Sequence, residues 1–166
     1  MSRGFVREGD QEEPPIIPPR AALPDGVINY VTPIGLKQLK NELEALENEI
    51  AQLSTTNETE RRRELTVLNG KLDLLQERIA AARVLDPNQQ PKDEIRFGAT
   101  VTYRMIANKL VNTFQIVGVD EADLKLKKIA FVAPIVVAIT GHKVGDIVDF
   151  KLGTEIRKLE ILEINY

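Results

Sequence analysis

Two runs of leucine and isoleucine constrain the fold of this chain more than any other feature. In each run, apolar residues recur at alternating steps of three and four. The first run is Leu36, Leu39, Leu43, Leu46, Ile50 and Leu53, and the second is Leu65, Leu68, Leu72, Leu75 and Ile79, continued by Ala82. This is the a/d spacing of a coiled coil, and charged residues occupy the other helical faces. Because only a short polar turn separates the two runs, the sequence predicts an antiparallel helical hairpin.

Capping residues and prolines predict where these helices begin and end. Thr32 precedes a proline, which suits an N-cap followed by proline at the first helical position. Asn57 with Glu60 three residues later resembles a capping box that opens the second helix. Pro87 ends the second helix in this prediction, so the hairpin occupies residues 31–86.

The rest of the chain divides into an arm, a linker and a sheet domain. Residues 1–30 hold five of the nine prolines, which predicts an extended arm that either docks through Ile16 and Ile17 or stays disordered. Residues 87–91 form a linker. Residues 92–166 carry β-branched and aromatic runs bounded by Gly, Asp or Asn, which predicts strands. The predicted strands are 99–106, 112–118, 127–133, 146–152 and 156–164, with a short helix at 135–139. The fold class is therefore α+β.

Composition excludes several classes of function. The chain of 166 residues has no cysteine and one histidine, which argues against disulfides, thiolate metal sites and Ser-His catalysis. No apolar run approaches the roughly 20 residues of a membrane helix, and no secretory signal opens the chain, so we expect a cytoplasmic protein without membrane contact. Net charge is −3, without the clustered cationic surface that bare nucleic acid requires. A protein partner is the better prediction.

Short fragments in a specific order resemble a known family. They are TPIGL at 32–36, RVLD at 83–86, FGATV at 97–101, IVG at 116–118 and ILEINY at 161–166, with Pro134 ahead of a short apolar helix. Together, residues 30–166 resemble the Gre family of bacterial transcription elongation factors. The arm lies outside this resemblance.

The resemblance implies a fold and a partner. It implies a coiled-coil hairpin followed by a C-terminal domain of FKBP-like fold. That domain would bind a coiled coil of the largest subunit of bacterial RNA polymerase, and the hairpin would enter the secondary channel. Such factors are accessory factors rather than enzymes, because they complete the two-metal site of the polymerase. The resemblance therefore implies no cofactor of its own, with any Mg²⁺ shared in the polymerase active site, and nucleic acid contacted only within the elongation complex. We expect a monomer, because the apolar seams of the two helices can pack against each other within one chain.

The tip departs from the family pattern. The family's acidic stretch Asp-Leu-x-Glu-Asn-Ala-Glu-Tyr is missing, and Thr55, Thr56 and Asn57 occupy the tip, followed by Glu58 and Glu60. The hairpin is also shorter than the family's by one to two turns, on the order of 5–10 Å. The favoured interpretation is weak or absent stimulation of transcript cleavage. The alternatives are an active cleavage factor that uses Glu58 and Glu60, and a prolyl isomerase or chaperone of the FKBP type.

Individual residues also have plainer interpretations. Glu58 and Glu60 would complement the positive end of the second helix, and the run 61–63 of three arginines would be a solvated face. The acidic segment 120–123 is interpreted as a charged surface turn rather than a metal site. Of the polymerase-binding positions of the family, only Pro134 carries over, because Val-Ala precedes it where the family has a polar residue and serine.

Overall fold

The helical hairpin is present, and both of its predicted N-cap residues are confirmed. The predicted capping box is not complete, because the Asn57 N–H donates to Thr55 Oγ1 and not to the Glu60 side chain. The structure, a computed structural model, describes residues 13–166. Helix α1 spans Pro33–Ala51 and helix α2 spans Glu58–Ala80. The Thr32 hydroxyl accepts the N–H of Gly35 at 2.9 Å. Asn57 Oδ1 accepts the N–H groups of Thr59 and Glu60 at 3.0 and 3.3 Å, which satisfies two of the free donors at the start of α2.

The predicted seam forms the core of the hairpin. Its most buried members are Leu75, Leu39, Leu68 and Leu46, which expose between 0% and 8% of their surface. Half-buried residues of the same runs pack against them: Leu36, Leu43, Ile50, Leu53, Leu72, Ile79 and Ala82. The periodicity therefore identified the packed face correctly, and burial within that face varies from one position to the next.

The prediction that the second helix continues to Pro87 is wrong. Helix α2 ends at Ala80, and strand β2 (Ala82–Val84) follows it. This strand pairs in parallel with strand β1 (Asn29–Val31), and the Leu85 N–H continues the pairing by donating to Val31 O at 2.9 Å. Residues 82–84 form a strand instead of a helix because β1, some fifty residues earlier in the chain, provides hydrogen-bond partners for their backbone.

The C-terminal region is a five-stranded sheet with one short helix. The strands are β3 Thr100–Met105, β4 Val111–Val117, β5 Lys128–Ala130, β6 Ile147–Leu152 and β7 Glu155–Asn165, and helix α3 spans Pro134–Ile139. In the sheet they occur in the order β5-β4-β3-β7-β6, and neighbouring strands are antiparallel except for β4 and β5. The five predicted strands and the short helix are confirmed, although β5 is shorter than predicted. The α+β fold class is confirmed.

Buried acids join the hairpin to the sheet. The residues after β4 reach the base of the hairpin, and a Cβ on Gly118 would lie 2.6 Å from Tyr30 O. Glu121 accepts a hydrogen bond from the Thr32 hydroxyl and lies 3.4 Å from Lys128 Nζ. The Asp120 and Glu121 side chains are 8% and 3% exposed. The prediction of a charged surface turn is therefore wrong for these two acids, because the hairpin packs on them.

Within residues 13–166, no helix is both long enough and apolar enough to span a bilayer.

Candidate functional site

An apolar groove lies where the hairpin base meets the sheet. Its volume is about 540 Å³. The lining residues come from β1, from the segment between β2 and β3, from β4, from the residue after β5, and from α3 and its C-cap. They are Tyr30, Leu85, Gln90, Arg96, Phe97, Ile116, Phe131, Val136, Val137 and Thr140. Most of this lining is aliphatic or aromatic, and Gln90, Arg96 and Thr140 add polar groups. An apolar concave surface with a few polar groups is the usual form of a recognition site.

Three aromatic rings form one wall of the groove. The ring centroids of Tyr30, Phe97 and Phe131 lie 5.6–6.0 Å from one another, with tilted or edge-to-face geometry. This is the favoured spacing for aromatic pairs, so each ring restrains the other two. Gly98 follows Phe97 with φ +89°, and a Cβ there would meet Pro87 Cγ at 2.8 Å. Glycine is therefore required for the chain to turn directly after Phe97.

Helix α3 forms another wall, and it begins at the predicted site residue Pro134. Pro134 is exposed at the first helical position, at the edge of the groove rather than in its lining. Val136 is buried, whereas Val137 is 65% exposed beside the groove. The residue before the proline, Ala133, occupies the N-cap position and supplies no side-chain hydrogen bond. Because this chain has Val-Ala before Pro134, where the family has a polar residue and serine, α3 lacks a side-chain cap.

Ala133→Ser is expected to raise the free energy of unfolding by about 1 kcal/mol, because a serine hydroxyl would accept a free N–H in the first turn of α3. Ala133 already has the extended backbone of an N-cap, with φ −62° and ψ 141°. Urea unfolding measures the change, with Ala138→Ser inside the same helix as the control that gains nothing. A loss of stability in Ala133→Ser would show that the cap position is assigned wrongly.

The second candidate region is the hairpin tip. Thr55, Thr56 and Asn57 lie in the turn between the helices, and the Asn57 N–H donates to Thr55 Oγ1 at 3.4 Å. Glu58 and Glu60 are exposed in the first turn of α2. Residues two apart on a helix are separated by about 200° around its axis, so these two carboxylates point to different faces.

The tip does not fit a magnesium ion. The only acidic residues among 54–60 are Glu58 and Glu60, and three arginines follow them at 61–63. The two carboxylates also point to different faces of α2, so they do not converge on one ion. The geometry instead matches the plainer interpretation, in which Glu58 and Glu60 complement the N-terminal end of α2.

The predicted site residues fall into two separate regions. Helix α2 has 23 residues and is about 34 Å long, with the tip at its start and the groove beyond its end. Pro134 and the tip residues therefore lie at opposite ends of the hairpin. Sequence reasoning missed Tyr30, whose only signal was its place in the short alternation Asn29–Val31. Phe97 and Phe131 were not among the predicted site residues either.

Known proteins are similar to this chain over most of its length. Residues 90–166 match the family model described as Transcription elongation factor, GreA/GreB, C-term. The transcription elongation factor GreA of Thermodesulfovibrio yellowstonii is 32% identical over 151 residues, which cover 82% of this chain and 96% of that protein. The GreA of Trichlorobacter lovleyi is 40% identical over 99 residues, which cover 60% of this chain and 63% of that protein, just under two thirds of its length. The solved GreA/GreB factor of Nitrosomonas europaea is 22% identical, with 84% of this chain and 99% of that chain covered, at a TM-score of 0.41.

Proposed function

Since the chain belongs to the GreA/GreB family of transcription elongation factors, we propose that it binds bacterial RNA polymerase and regulates elongation as an accessory factor, not as an enzyme. In this proposal the sheet domain binds a coiled coil of the polymerase's largest subunit. The hairpin enters the secondary channel, and nucleic acid is contacted only inside the elongation complex.

The observation that carries the proposal is the apolar groove with Val137 exposed at its edge. Helical partners bind such grooves through apolar side chains spaced along one face. The fixed aromatic wall of Tyr30, Phe97 and Phe131 offers a preorganised surface, which lowers the entropic cost of association. Arg96 in the lining is suited to pair with an acidic residue of the partner.

The tip supports a regulator that occupies the channel with little or no stimulation of cleavage. Mg²⁺ requires oxygen ligands at about 2.1 Å in nearly octahedral geometry. Glu58 and Glu60 diverge and are followed by arginines, so they do not provide such a ligand set. The seam that gives the hairpin its shape is intact. Entry into the channel and stimulation of cleavage are therefore separable in this chain.

The aromatic groove also supports a second candidate, a prolyl isomerase or chaperone of the FKBP type. Such chemistry needs an apolar aromatic pocket, and this groove provides one. Fold resemblance alone does not confer the activity. The two candidates differ in their partners, because an isomerase acts on free proline-containing peptides, whereas a polymerase-binding factor does not.

Pro134→Ala is expected to weaken binding to the cognate polymerase by about 3- to 10-fold, because proline fixes φ at the first position of α3 and so preorganises the groove's helical wall. Biolayer interferometry with the full chain measures the affinity. The matched control is Pro91→Ala, an exposed proline of the linker, which should bind like the parent chain. Equal affinity for Pro134→Ala and the parent would remove α3 from the proposed interface.

A further inference from the structure

The N-terminal arm lies along the hairpin. Its described part, residues 13–28, has no helix or strand. Arg63 Nη2 donates to Glu13 O at 3.4 Å, and Arg78 Nη2 donates to Ala21 O at 2.7 Å. These two arginines are separated by fifteen residues of α2, about 22 Å. The arm therefore follows α2 for roughly four turns.

A glycine in the middle of α2 makes room for the arm. Gly70 is a poor residue for a helix interior, where alanine is strongly preferred. A Cβ at this position would lie 2.1 Å from Ile17 Cδ1 and 2.7 Å from Ile17 Cγ1. Ile17 thus occupies the space that any other side chain would fill. Its neighbour Ile16 is 87% exposed, so only one of the two apolar residues of the arm docks.

Arg20 joins the arm to both parts of the molecule. Its two terminal nitrogens lie 2.7 and 3.0 Å from the carboxylate oxygens of Glu42 on α1, and its Nε donates to Asp120 Oδ1 at 3.1 Å. Arg78 Nη1 on α2 lies 3.4 Å from the other oxygen of Asp120. The Arg20, Arg78 and Asp120 side chains are 17%, 13% and 8% exposed. The pair with Glu42 is bidentate but half exposed on the Glu42 side, whereas the contact with Asp120 is largely buried. Hydrogen bonds between charged groups are roughly twice as strong as those between neutral groups.

We propose that the arm fixes the direction of the hairpin relative to the sheet domain, with Arg20 as the bridge and Ile17 as the docked side chain. Helix α1 is about 28 Å long, so a rotation of 10° at its base would move the tip by about 5 Å. An arm that restrains this rotation therefore controls where the tip lies. The restraint of the hairpin by the arm is a property of the free protein and does not depend on polymerase binding.

Distances between spin labels test the bridge. The chain has no cysteine, so Thr56→Cys at the tip and Lys151→Cys on β6 provide two unique labels on exposed positions. In this background we expect one narrow distance distribution. Arg20→Gln, and separately deletion of residues 1–20, should broaden it roughly twofold as further orientations become populated. The matched control is Arg62→Gln on the exposed face of α2, which should leave the distribution narrow.

Trypsin tests the docked side chain. Gly70→Ala should displace Ile17 and increase cleavage at the Arg20–Ala21 bond about tenfold, because cleavage follows the population of the undocked arm. Asn69→Ala, on an exposed neighbouring position, raises helix propensity without touching Ile17 and should be cleaved like the parent. The proposal is overturned by unchanged label distances in both Arg20→Gln and the deletion, or by unchanged cleavage in Gly70→Ala.

Discussion

Leu75→Ala is expected to lower the free energy of unfolding by about 2–5 kcal/mol, because it removes three buried carbons and leaves a cavity in the hairpin seam. Leu75 has no exposed surface, and it belongs to the same buried cluster as Leu39, Leu46 and Leu68. Leu39 and Leu46 on α1, and Leu68 and Leu75 on α2, each lie seven residues apart, about two turns, so all four belong to one packed face of the hairpin. Urea unfolding followed by circular dichroism at 222 nm, a wavelength that reports helix, measures the loss.

Two further leucines calibrate this result. Leu110→Ala removes the same atoms from a residue that is 59% exposed, so its cost should stay below about 0.5 kcal/mol. Leu43→Ala, at a half-buried seam position, should fall between the two. A loss below about 0.5 kcal/mol for Leu75→Ala would mean that the seam is not packed as described.

Val137→Glu is expected to weaken binding to the cognate polymerase by about 100-fold, equivalent to about 2.7 kcal/mol. Val137 is 65% exposed on α3 at the edge of the groove, so a polar residue there costs the free protein little. In the proposed complex the carboxylate would enter an apolar contact without a partner, and an unpaired buried charge is strongly unfavourable. Affinity is measured with the full chain by biolayer interferometry.

The matched control makes the same change elsewhere on the sheet domain. Ile156 is 56% exposed on β7, and its partner across the strands is Lys151, so a glutamate there is easily accommodated. Ile156→Glu should bind polymerase within about threefold of the parent. If both variants lose affinity equally, the effect is one of charge in general, and the groove is not the binding surface.

The hairpin was predictable because its information is local. Alternating steps of three and four define a packed face within each helix, and Thr32 and Asn57 act on N–H groups two or three residues away. The end of α2 was not predictable in this way. Whether Ala82–Val84 continues a helix or forms a strand depends on Asn29–Val31, which lies far away in the chain.

The same distinction between local and distant information applies to the candidate site. The tip residues follow from the turn between the two seams, whereas Pro134 was carried over from the family resemblance. The groove depends on Tyr30, Phe97 and Phe131, which come from three distant segments and meet only in the folded chain. The burial of Asp120 and Glu121 has the same cause, since an acidic turn gives no sign of what will pack against it.

RNA cleavage in backtracked elongation complexes of the cognate polymerase tests the central claim most directly. The reaction is run with this protein alone, with an intact GreA cleavage factor alone, and with both together. We expect this protein alone to leave cleavage near the intrinsic rate, and increasing amounts of it to suppress stimulation by the intact factor through competition for the same site. Strong cleavage by this protein alone that disappears in the double variant Glu58→Ala/Glu60→Ala would contradict the account, because it would place a working acidic tip in the polymerase active site.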